Sequence, residues 1–472
     1  MNTIQDAAPI TALAAEHQLS TRGAQGLLDR DVWGPREKSM GNPWSSTNPS
    51  GTVILRLAEN SLMHDEIGNF IKQRVNVVPT NHLTYSTGPR GSHRLRRAAA
   101  AFWTEEFEPR ESITVDNIFV TPGLASAIDA LSWAICDKGD AVLIPLPLYN
   151  GFIIDALNRS NVRIIGIPYT GVQGYRTLDD LFDPDMNRAA IEAAIQKARN
   201  DGIRARALLI AHPHNPLGRC YPVETLKIFA SICGEQGLHL ISDEIYAKSV
   251  FPNPSIPDAV PFVSTLSLDL EGVIDKTRHH VLYGASKDFC ANGLRLGFVC
   301  THNQGIMGAL SSISIFSWSP HLLQDVWAAM LEDRQWLHAF MERKLDLMTE
   351  NHNIATSFLR QHGIRFYDTN AGLFLWLDLR HLLVPQSPSK EVDMNALSVY
   401  SPFSEIYKQQ ELIIAEICQK NGVMIAPGHV YMAEEYGWFR ITYTVGKEAL
   451  QEGLDRLWKS LQEVKYLIEE GA

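Results

Sequence analysis

Residues 283–297 read YGASKDFCANGLRLG, and the interpretation of the whole chain depends on this stretch. An apolar run typical of a strand enters it at residues 280–283, and a second such run leaves it at residues 296–300. Between the two runs stand Lys287 and, eight residues later, Arg295. A lysine among small and apolar neighbours is a candidate for a lowered pKa, because desolvation disfavours its charged form. A neutral amine can form a Schiff base with an aldehyde. On this stretch alone, an ordinary surface lysine is the alternative.

The composition is that of a globular protein and excludes several classes. The 472 residues are 45% hydrophobic and 20% charged, which allows two or three domains with a large core. A net charge of −11 without a basic block argues against a nucleic-acid partner. The six cysteines show no paired spacing, so we expect buried thiols and neither disulfides nor a cysteine metal site. No apolar run reaches the roughly 18 residues of a membrane span, and residues 1–15 do not resemble a signal peptide. A soluble, cytoplasmic protein without membrane contact is expected.

Apolar strand-like runs alternate with helical stretches through the middle of the chain. Continuous apolar strands separated by helices indicate a mostly parallel sheet covered on both faces. The sequence therefore predicts an α/β fold with a seven-stranded sheet in its large domain. The seven runs are residues 117–120, 141–146, 162–167, 205–212, 238–242, 280–283 and 296–300.

A long helical pattern over residues 319–363, without glycine between residues 309 and 362, predicts a linker helix into a second domain. We expect this second domain to be a smaller α+β unit built from both chain ends. The predicted boundaries are residues 1–82 for an N-terminal arm and part of the small domain, 83–330 for the large cofactor-binding domain, and 331–472 for the small C-terminal domain.

Polar side chains follow four of the predicted strands. Tyr149 follows the second run, Asn215 the fourth, Asp243 and Tyr246 the fifth, and Lys287 the sixth. In parallel sheets, ligands bind beyond the carboxyl ends of the strands. Four strand ends that all carry polar groups therefore predict one shared site.

The turn after the first strand is a candidate phosphate site. A strand, a glycine turn and an apolar helix follow one another here, so the backbone N–H groups near Leu124 and Ala125 are free to bind an anion. A single glycine turn is weak evidence, because many such turns bind nothing.

Two charged residues outside the central run are further candidates. Glu59 follows a short predicted strand over residues 53–57, and it is either a site residue or a helix N-terminal carboxylate, because a helix is predicted from residue 62. Arg440 lies within an apolar strand, where an arginine binds a carboxylate of the protein or of a ligand.

A single cofactor would use all of these groups. Lys287 would hold an aldehyde, and Asp243 would keep a ring nitrogen protonated so that the ring accepts electrons. Tyr246 and Asn215 would hydrogen-bond a phenolic oxygen, while Tyr149 would stack on the ring.

The remaining groups would bind a phosphate and a substrate. Arg295, Ser286 and the backbone at Leu124 and Ala125 would hold the phosphate, and Arg440 would bind the substrate carboxylate. The cofactor that carries an aldehyde, a phosphate, a phenolic oxygen and a ring nitrogen is pyridoxal 5′-phosphate.

The order of these motifs resembles that of the fold-type-I pyridoxal-phosphate enzymes of the aspartate aminotransferase superfamily. The resemblance covers roughly residues 50–460 and includes the 28-residue gap from Asn215 to Asp243 and the 8-residue gap from Lys287 to Arg295. Within that superfamily the chain looks most like 1-aminocyclopropane-1-carboxylate synthases, on the stretches 57–62, 239–246, 370–383 and 437–440.

The resemblance implies roles for two more residues and a subunit arrangement. Glu59 would lie near the substrate side chain, and Tyr85 would reach the cofactor phosphate of a partner subunit in an obligate homodimer with a shared active site. The chain also departs from the family pattern. Gly284 stands where a phosphate-binding serine is usual, and Leu124-Ala125 lacks the usual hydroxyl.

The resemblance further implies a reaction on an α-amino acid. The substrate amine would replace Lys287 on the cofactor aldehyde, and the freed Lys287 would remove the α proton. A lyase that performs β- or γ-elimination or cyclisation, including cleavage of a carbon–sulfur bond, is the expected class, with an aminotransferase as the alternative. A cofactor-binding regulator is a third hypothesis, against which the joint presence of Lys287, Asp243 and Arg440 argues.

Overall fold

A computed structural model of the chain describes residues 7–16, 18–21, 24, 41–74, 76, 79–384 and 397–470. Most of the arm predicted near the N-terminus lies outside the described residues. None of the described helices is both long enough and apolar enough to cross a membrane.

The helices are numbered in chain order. They are α1 Ala7–Glu16, α2 His64–Arg74, α3 Pro79–His82, α4 His93–Glu106, α5 Leu124–Ile135, α6 Gly151–Leu157, α7 Pro184–Asn200, α8 Val223–Gln236, α9 Gln304–Ser314, α10 His321–Glu332, α11 Arg334–Gln361, α12 Ser404–Lys420 and α13 Lys447–Glu470.

The strands are numbered in the same way. They are β1 Val53–Ile54, β2 Ile118–Thr121, β3 Ala141–Pro145, β4 Arg163–Ile167, β5 Ala205–Ala211, β6 His239–Asp243, β7 His279–Gly284, β8 Gly297–Thr301, β9 Arg365–Tyr367, β10 Phe374–Asp378, β11 Val423–Met424, β12 Ala426–Pro427 and β13 Trp438–Thr442.

A seven-stranded sheet forms the centre of the fold, as the alternation of runs predicts. Its order is β2-β8-β7-β6-β5-β3-β4, and all neighbours are parallel except β8, which runs antiparallel to β2 and β7. Every residue of β2, β3 and β8 is buried, as expected for strands covered on both faces. Helix dipoles and the carboxyl ends of the parallel strands therefore meet at one edge of this sheet.

Local capping explains where several helices begin and end. The Ser92 hydroxyl accepts a hydrogen bond from the Leu95 N–H at 3.1 Å and caps α4. The single linker helix expected over residues 319–363 is wrong: α10 and α11 are separate helices. Between them, Asp333 leaves the helical conformation, and its carboxylate accepts a hydrogen bond from the Trp336 N–H at 3.1 Å to cap α11.

Both ends of the chain contribute to a smaller α+β region. β1, from near the N-terminus, pairs in parallel with β11. A second sheet of order β12-β13-β10-β9 is antiparallel, and α11, α12 and α13 accompany it. Arg440 stands in the inner strand β13, opposite Trp376 on one side and Ala426 on the other. The domain boundaries near residues 82 and 330 stay predictions.

Candidate active site

The carboxyl ends of three neighbouring strands carry the residues predicted from the sequence. The register places Ala211 of β5 beside Asp243 of β6, and Asp243 beside Leu282 of β7. Asn215 follows β5 and Lys287 follows β7, each within a few residues of the strand end. The parallel register thus brings to one edge of the sheet groups that are far apart in the sequence.

The Lys287 amine lies at the junction of the two regions. Its Nζ donates a hydrogen bond to the carbonyl oxygen of Ala58 at 2.5 Å, on the segment that follows β1. Burial lowers the pKa of this amine to about 8, and the positive charge of Arg440 adds to the effect, whereas the carboxylate of Glu59 opposes it. A neutral amine is therefore accessible close to physiological pH.

The Asp243 carboxyl is buried at the end of β6, with 6% of the residue exposed. It accepts a hydrogen bond from the Ile245 N–H at 3.2 Å and forms no ion pair within the described part of the chain. Burial raises the pKa of this carboxyl to about 7. A buried carboxyl without a cationic partner is suited to receive one, such as a protonated ring nitrogen.

Asp155 is a neighbour of this site that the sequence reasoning missed. It lies on α6, and burial raises the pKa of its carboxyl to about 7, which the nearby Asp129 reinforces. Its charge in turn helps to raise the pKa of Asp243. The signal that points to it is a lone carboxylate in the otherwise apolar helix GFIIDAL, which begins two residues after Tyr149.

Arg440 presents its guanidinium to the same space although only 3% of the residue is exposed. Its Nη1 donates to Asn215 Oδ1 and its Nη2 to the Arg56 carbonyl, both at 3.0 Å. The guanidinium lies over the rings of Phe374 and Tyr431, at 5.0 and 4.8 Å from their centroids. Its buried Nε has no hydrogen-bond partner among the described residues, so a donor remains for a carboxylate.

Two tyrosines complete the enclosed side of the site. Tyr246 is buried with its ring edge-on to Phe374 at 5.4 Å, and burial raises its pKa well above the usual value. Tyr149 is partly buried and packs edge-on against Phe152 at 5.3 Å. The charge of Asp243 and the Tyr149 phenol both act on the Tyr246 pKa, so the three groups share one pocket.

The N-terminus of α5 and Arg295 form a cradle for an anion. Gly123 caps α5 with a φ of 85° and without a side-chain hydrogen bond, so the first N–H groups, at Leu124 and Ala125, point out of the helix. Arg295, itself at a φ of 53°, reaches across with Nη2 3.2 Å from the Pro122 carbonyl. A phosphate would there meet backbone donors and a guanidinium together.

The missing phosphate-site serine has a packing explanation. A Cβ at Gly284 would lie 2.7 Å from Leu124 Cδ1 and 2.9 Å from the Leu296 carbonyl, and a Cβ at Gly297 would also lie 2.7 Å from Leu124 Cδ1. Because the Leu124 side chain fills this space, residue 284 cannot be serine without repacking. Ser286, which is partly buried beside Lys287, is the hydroxyl residue that remains in this loop.

Gly123 offers a direct test of the anion cradle. A Cβ at Gly123 would lie 2.6 Å from Arg295 Nη2, so we expect Gly123→Ala to displace the guanidinium and weaken cofactor binding by about tenfold or more, equivalent to about 1.4 kcal/mol. Equilibrium dialysis of the cofactor measures the effect. Gly139→Ala is the matched control, since Gly139 has a φ of 91° but a Cβ there would meet no atom of the described residues within 4 Å. Equal losses in both variants would contradict the prediction.

Glu59 lies outside any helix, because α2 begins at His64 and its first turn carries Asp65 and Glu66 instead. Its backbone carbonyl accepts a hydrogen bond from Thr444 Oγ1 at 2.7 Å, which ties the segment to the end of β13. Its carboxylate raises the pKa of the Lys287 amine, so it acts on the same pocket. The alternative of a helix N-terminal carboxylate is therefore wrong.

Tyr85 is 87% exposed and lies apart from the buried cluster. Its ring packs edge-on against Trp318 at 5.9 Å, and the next residue, Ser319, donates to the Arg295 carbonyl at 3.1 Å. Tyr85 thus lies on the side of the fold where the anion cradle is found, with its ring facing outward.

The residues present fit pyridoxal 5′-phosphate. Lys287 supplies an amine of lowered pKa, and Asp243 supplies a buried carboxyl. No cation among the described residues forms an ion pair with this carboxyl. Because Gly123 has no Cβ, the space beside Arg295 at the N-terminus of α5 stays open, and no side chain caps this helix end. An aldehyde, a ring nitrogen and a phosphate each find a matching group.

Comparisons with known proteins agree with this fit. The sequence model of the family described as Aminotransferase class I and II matches residues 52–457. A 1-aminocyclopropane-1-carboxylate synthase of Glycine max is 28% identical over 436 residues, covering 90% of this chain and 83% of the relative. A probable aminotransferase of Aspergillus oryzae is 29% identical over 410 residues, covering 86% and 90%. In structure, a double mutant of Thermus thermophilus aspartate aminotransferase superposes with a TM-score of 0.67 at 21% identity, covering 94% of this chain and 99% of that one.

Proposed function

The chain belongs to the aminotransferase class I and II family and is a pyridoxal-phosphate-dependent enzyme, and we propose that it is a lyase acting on a sulfur-bearing α-amino acid. The reaction would be a β- or γ-elimination or a cyclisation, as in the synthases it resembles. One observation carries this proposal: Arg440 and Glu59, of opposite charge, both act on the Lys287 amine. A substrate with its carboxylate on Arg440 would direct its side chain towards Glu59, whose negative charge would bind a substrate sulfonium before the sulfur departs as a neutral thioether.

We assign the binding roles to the residues described above. When bound, pyridoxal phosphate supplies an aldehyde that takes up amines and a protonated ring that accepts an electron pair. Arg295, Ser286 and the N–H groups of Leu124 and Ala125 would hold its phosphate, and Tyr149 would stack on the ring. The Asn215 amide and the Tyr246 hydroxyl would hydrogen-bond the phenolic oxygen.

The catalytic roles follow from charge and position. The negative charge of Asp243 would keep a proton on the ring nitrogen of the bound cofactor. Arg440 would bind the substrate carboxylate through its Nε and a second guanidinium N–H and so orient the Cα–H bond. The neutral Lys287 amine would accept the proton from Cα.

A homodimer with a shared active site is part of the proposal. Tyr85, which is 87% exposed, packs on Trp318, and large apolar side chains close to these two residues in the sequence are also exposed: Leu83 at 73%, Ile315 at 60% and Phe316 at 87%. Such a patch is typical of a protein interface. The partner's Tyr85 would then complete the phosphate site, and light scattering of the purified protein should give the mass of two chains.

An aminotransferase is the second candidate, and the similarity to the probable Aspergillus oryzae aminotransferase favours it. The same core residues serve both reactions, so the products must decide. The purified enzyme should be incubated with S-adenosylmethionine, with cysteine conjugates, and with amino acid and keto acid pairs. Release of methylthioadenosine, thiol or ammonia without a keto acid supports the lyase. Turnover that depends strictly on a keto acid would overturn it in favour of transamination.

The pH dependence of cofactor uptake tests the environment of Lys287. Its amine has a pKa of about 8, so below that pH a proton must leave before the amine can attack the aldehyde. We expect the rate of cofactor incorporation into the cofactor-free protein to rise about tenfold per pH unit up to pH 8 and then to level off. Stopped-flow absorbance measures this rate. A lysine model peptide, with its ordinary pKa of about 10.4, is the control and should show no plateau at pH 8. A matching profile for protein and peptide would contradict the prediction.

A further inference from the structure

We propose that His82, His321 and Asp325 form a binding site for a divalent transition-metal ion of the Zn²⁺ class, separate from the cofactor site. His82 is the last residue of α3, and His321 is the first residue of α10. Asp325 stands four residues later on α10, so it shares a helix face with His321. The site would join two helices that are separated in the sequence by the 238 residues 83–320.

The three donor atoms lie close enough for one ion. One ligand atom from each of the three residues lies within 4.8 Å of the others. His82 Nε2 is 2.8 Å from Asp325 Oδ2, and His321 Nε2 is 3.7 Å from Asp325 Oδ1. The two imidazole rings are perpendicular, with centroids 4.8 Å apart. Donor separations of roughly 3 to 4 Å suit ligands that each lie about 2 Å from a tetrahedral ion.

An unpartnered oxygen points to a missing cation. Asp325 Oδ1 is buried and has no hydrogen-bond partner among the described residues. His321 Nδ1 lies 3.1 Å from the Asn81 carbonyl oxygen, which can only accept, so Nδ1 carries the proton and donates it. In the neutral imidazole, Nε2 of His321 then carries no proton, and it faces Asp325 Oδ1 at 3.7 Å. Two acceptors that face each other need a cation or a proton between them.

The neighbouring arginine supplies only part of the compensating charge. Arg94 Nη1 lies 3.7 Å from Asp325 Oδ2, but the guanidinium binds Glu332 more closely, through Nε and Nη2 at 3.2 and 2.7 Å. The hydrogen bond from His321 Nδ1 to a backbone carbonyl is also the arrangement that orients histidines on metals. Two imidazoles and one carboxylate are a donor set that suits Zn²⁺.

Burial separates this cluster from an ordinary surface ion pair. The side chains of His82, His321 and Asp325 are 4%, 13% and 21% exposed. A second group, made of Glu105, Glu106 and His338, has similar residue types, but its histidine is 60% exposed. That group is therefore a control for non-specific binding.

The position of the site suggests what the ion does. The Ser86 hydroxyl lies 3.1 Å from His321 Nδ1 and 2.8 Å from the Asn81 carbonyl, so the segment 81–86 is already attached to α10 at this point. An ion on His82, His321 and Asp325 would hold that segment, and Tyr85 with it, against α10. This consequence rests on the proposed role of Tyr85 in the dimer, whereas the metal site does not.

Calorimetric titration of the full-length, chelator-treated holoenzyme with ZnCl₂ tests the site. We expect one Zn²⁺ per chain, and an affinity at least about 100-fold weaker in Asp325→Asn and in His321→Asn. His338→Gln should bind as the unaltered protein does. Absence of stoichiometric Zn²⁺ binding, or equal affinity in all variants, overturns the proposal.

A measurement on the unaltered protein keeps the test decisive if a variant fails to fold. Diethylpyrocarbonate modifies accessible histidines, and mass spectrometry locates the modified residues. Zn²⁺ should protect His321 but not His338, and equal protection or no protection overturns the site. Neither readout uses substrate turnover, so a failed metal site and a failed lyase assignment remain distinguishable.

Discussion

Replacement of Lys287 by alanine is expected to lower kcat/KM by at least about 10³-fold, since general-base catalysis alone contributes roughly 10²- to 10⁴-fold. The variant loses both the amine that holds the cofactor aldehyde and the base that removes the α proton. Steady-state kinetics on the substrate found in the product screen measures the loss. Borohydride reduction followed by peptide mapping gives a readout without turnover: the cofactor mass should be found on the peptide that contains Lys287 and should disappear in the variant.

Two further variants separate chemistry from charge and from folding. Lys287→Arg keeps a cation but offers no nucleophilic amine, so it should be as inactive as the alanine variant. Lys197→Ala removes an exposed lysine that pairs with Asp201 on the surface, and it should keep full activity. Undiminished turnover by Lys287→Ala would show that another group is the base.

Replacement of Asp243 by asparagine is expected to lower kcat/KM by roughly 10²- to 10³-fold, the range found when one preorganised electrostatic partner of a reaction is removed. Asparagine has nearly the same shape but no negative charge, so it does not keep the ring nitrogen protonated. The absorbance of the bound cofactor as a function of pH should change together with the kinetics. Asp243→Glu retains the charge and should recover part of the activity.

The stability of the cofactor-free Asp243→Asn variant is its internal control. Burial raises the pKa of Asp243 to about 7, well above the usual aspartate value of about 3.9. The folded state then binds the proton more tightly than the unfolded state, so this carboxyl destabilises the fold as the pH rises towards 7. The neutral amide removes that cost, and urea unfolding of the cofactor-free variant at pH 7.5 should show no loss of stability. A large loss would mean that the kinetic effect reflects misfolding.

Much of the large sheet is readable from the sequence because its signals are local. Each of its seven strands is a short apolar run bounded by polar or glycine-containing turns, and the observed strands agree with the predicted runs to within one or two residues. The break at Asp333 was missed, because a helical pattern of apolar residues continues across it. The strand β9 was also missed, since three residues give too short a pattern.

The residues of the site likewise divide into those that the sequence predicts and those that only the structure reveals. Asn215, Asp243 and Lys287 are predictable because parallel strands end at one edge, so their place in the sequence implies their place in the sheet. Asp155 was not predicted, although it acts on the pKa of Asp243, because its effect depends on the distance between the two carboxyls, which the fold sets.

By itself, the sequence determined the alternation of strands and helices and the polar residues that follow the strands. It also determined the family resemblance, which implies the cofactor. These are properties of short windows and of order along the chain. Only the tertiary structure decided that Lys287 Nζ meets the Ala58 carbonyl, that Leu124 fills the space above Gly284, and that the histidines of two distant helices converge on Asp325. Such contacts join residues far apart in the sequence, and the packing of whole elements, which no local periodicity encodes, sets their distances.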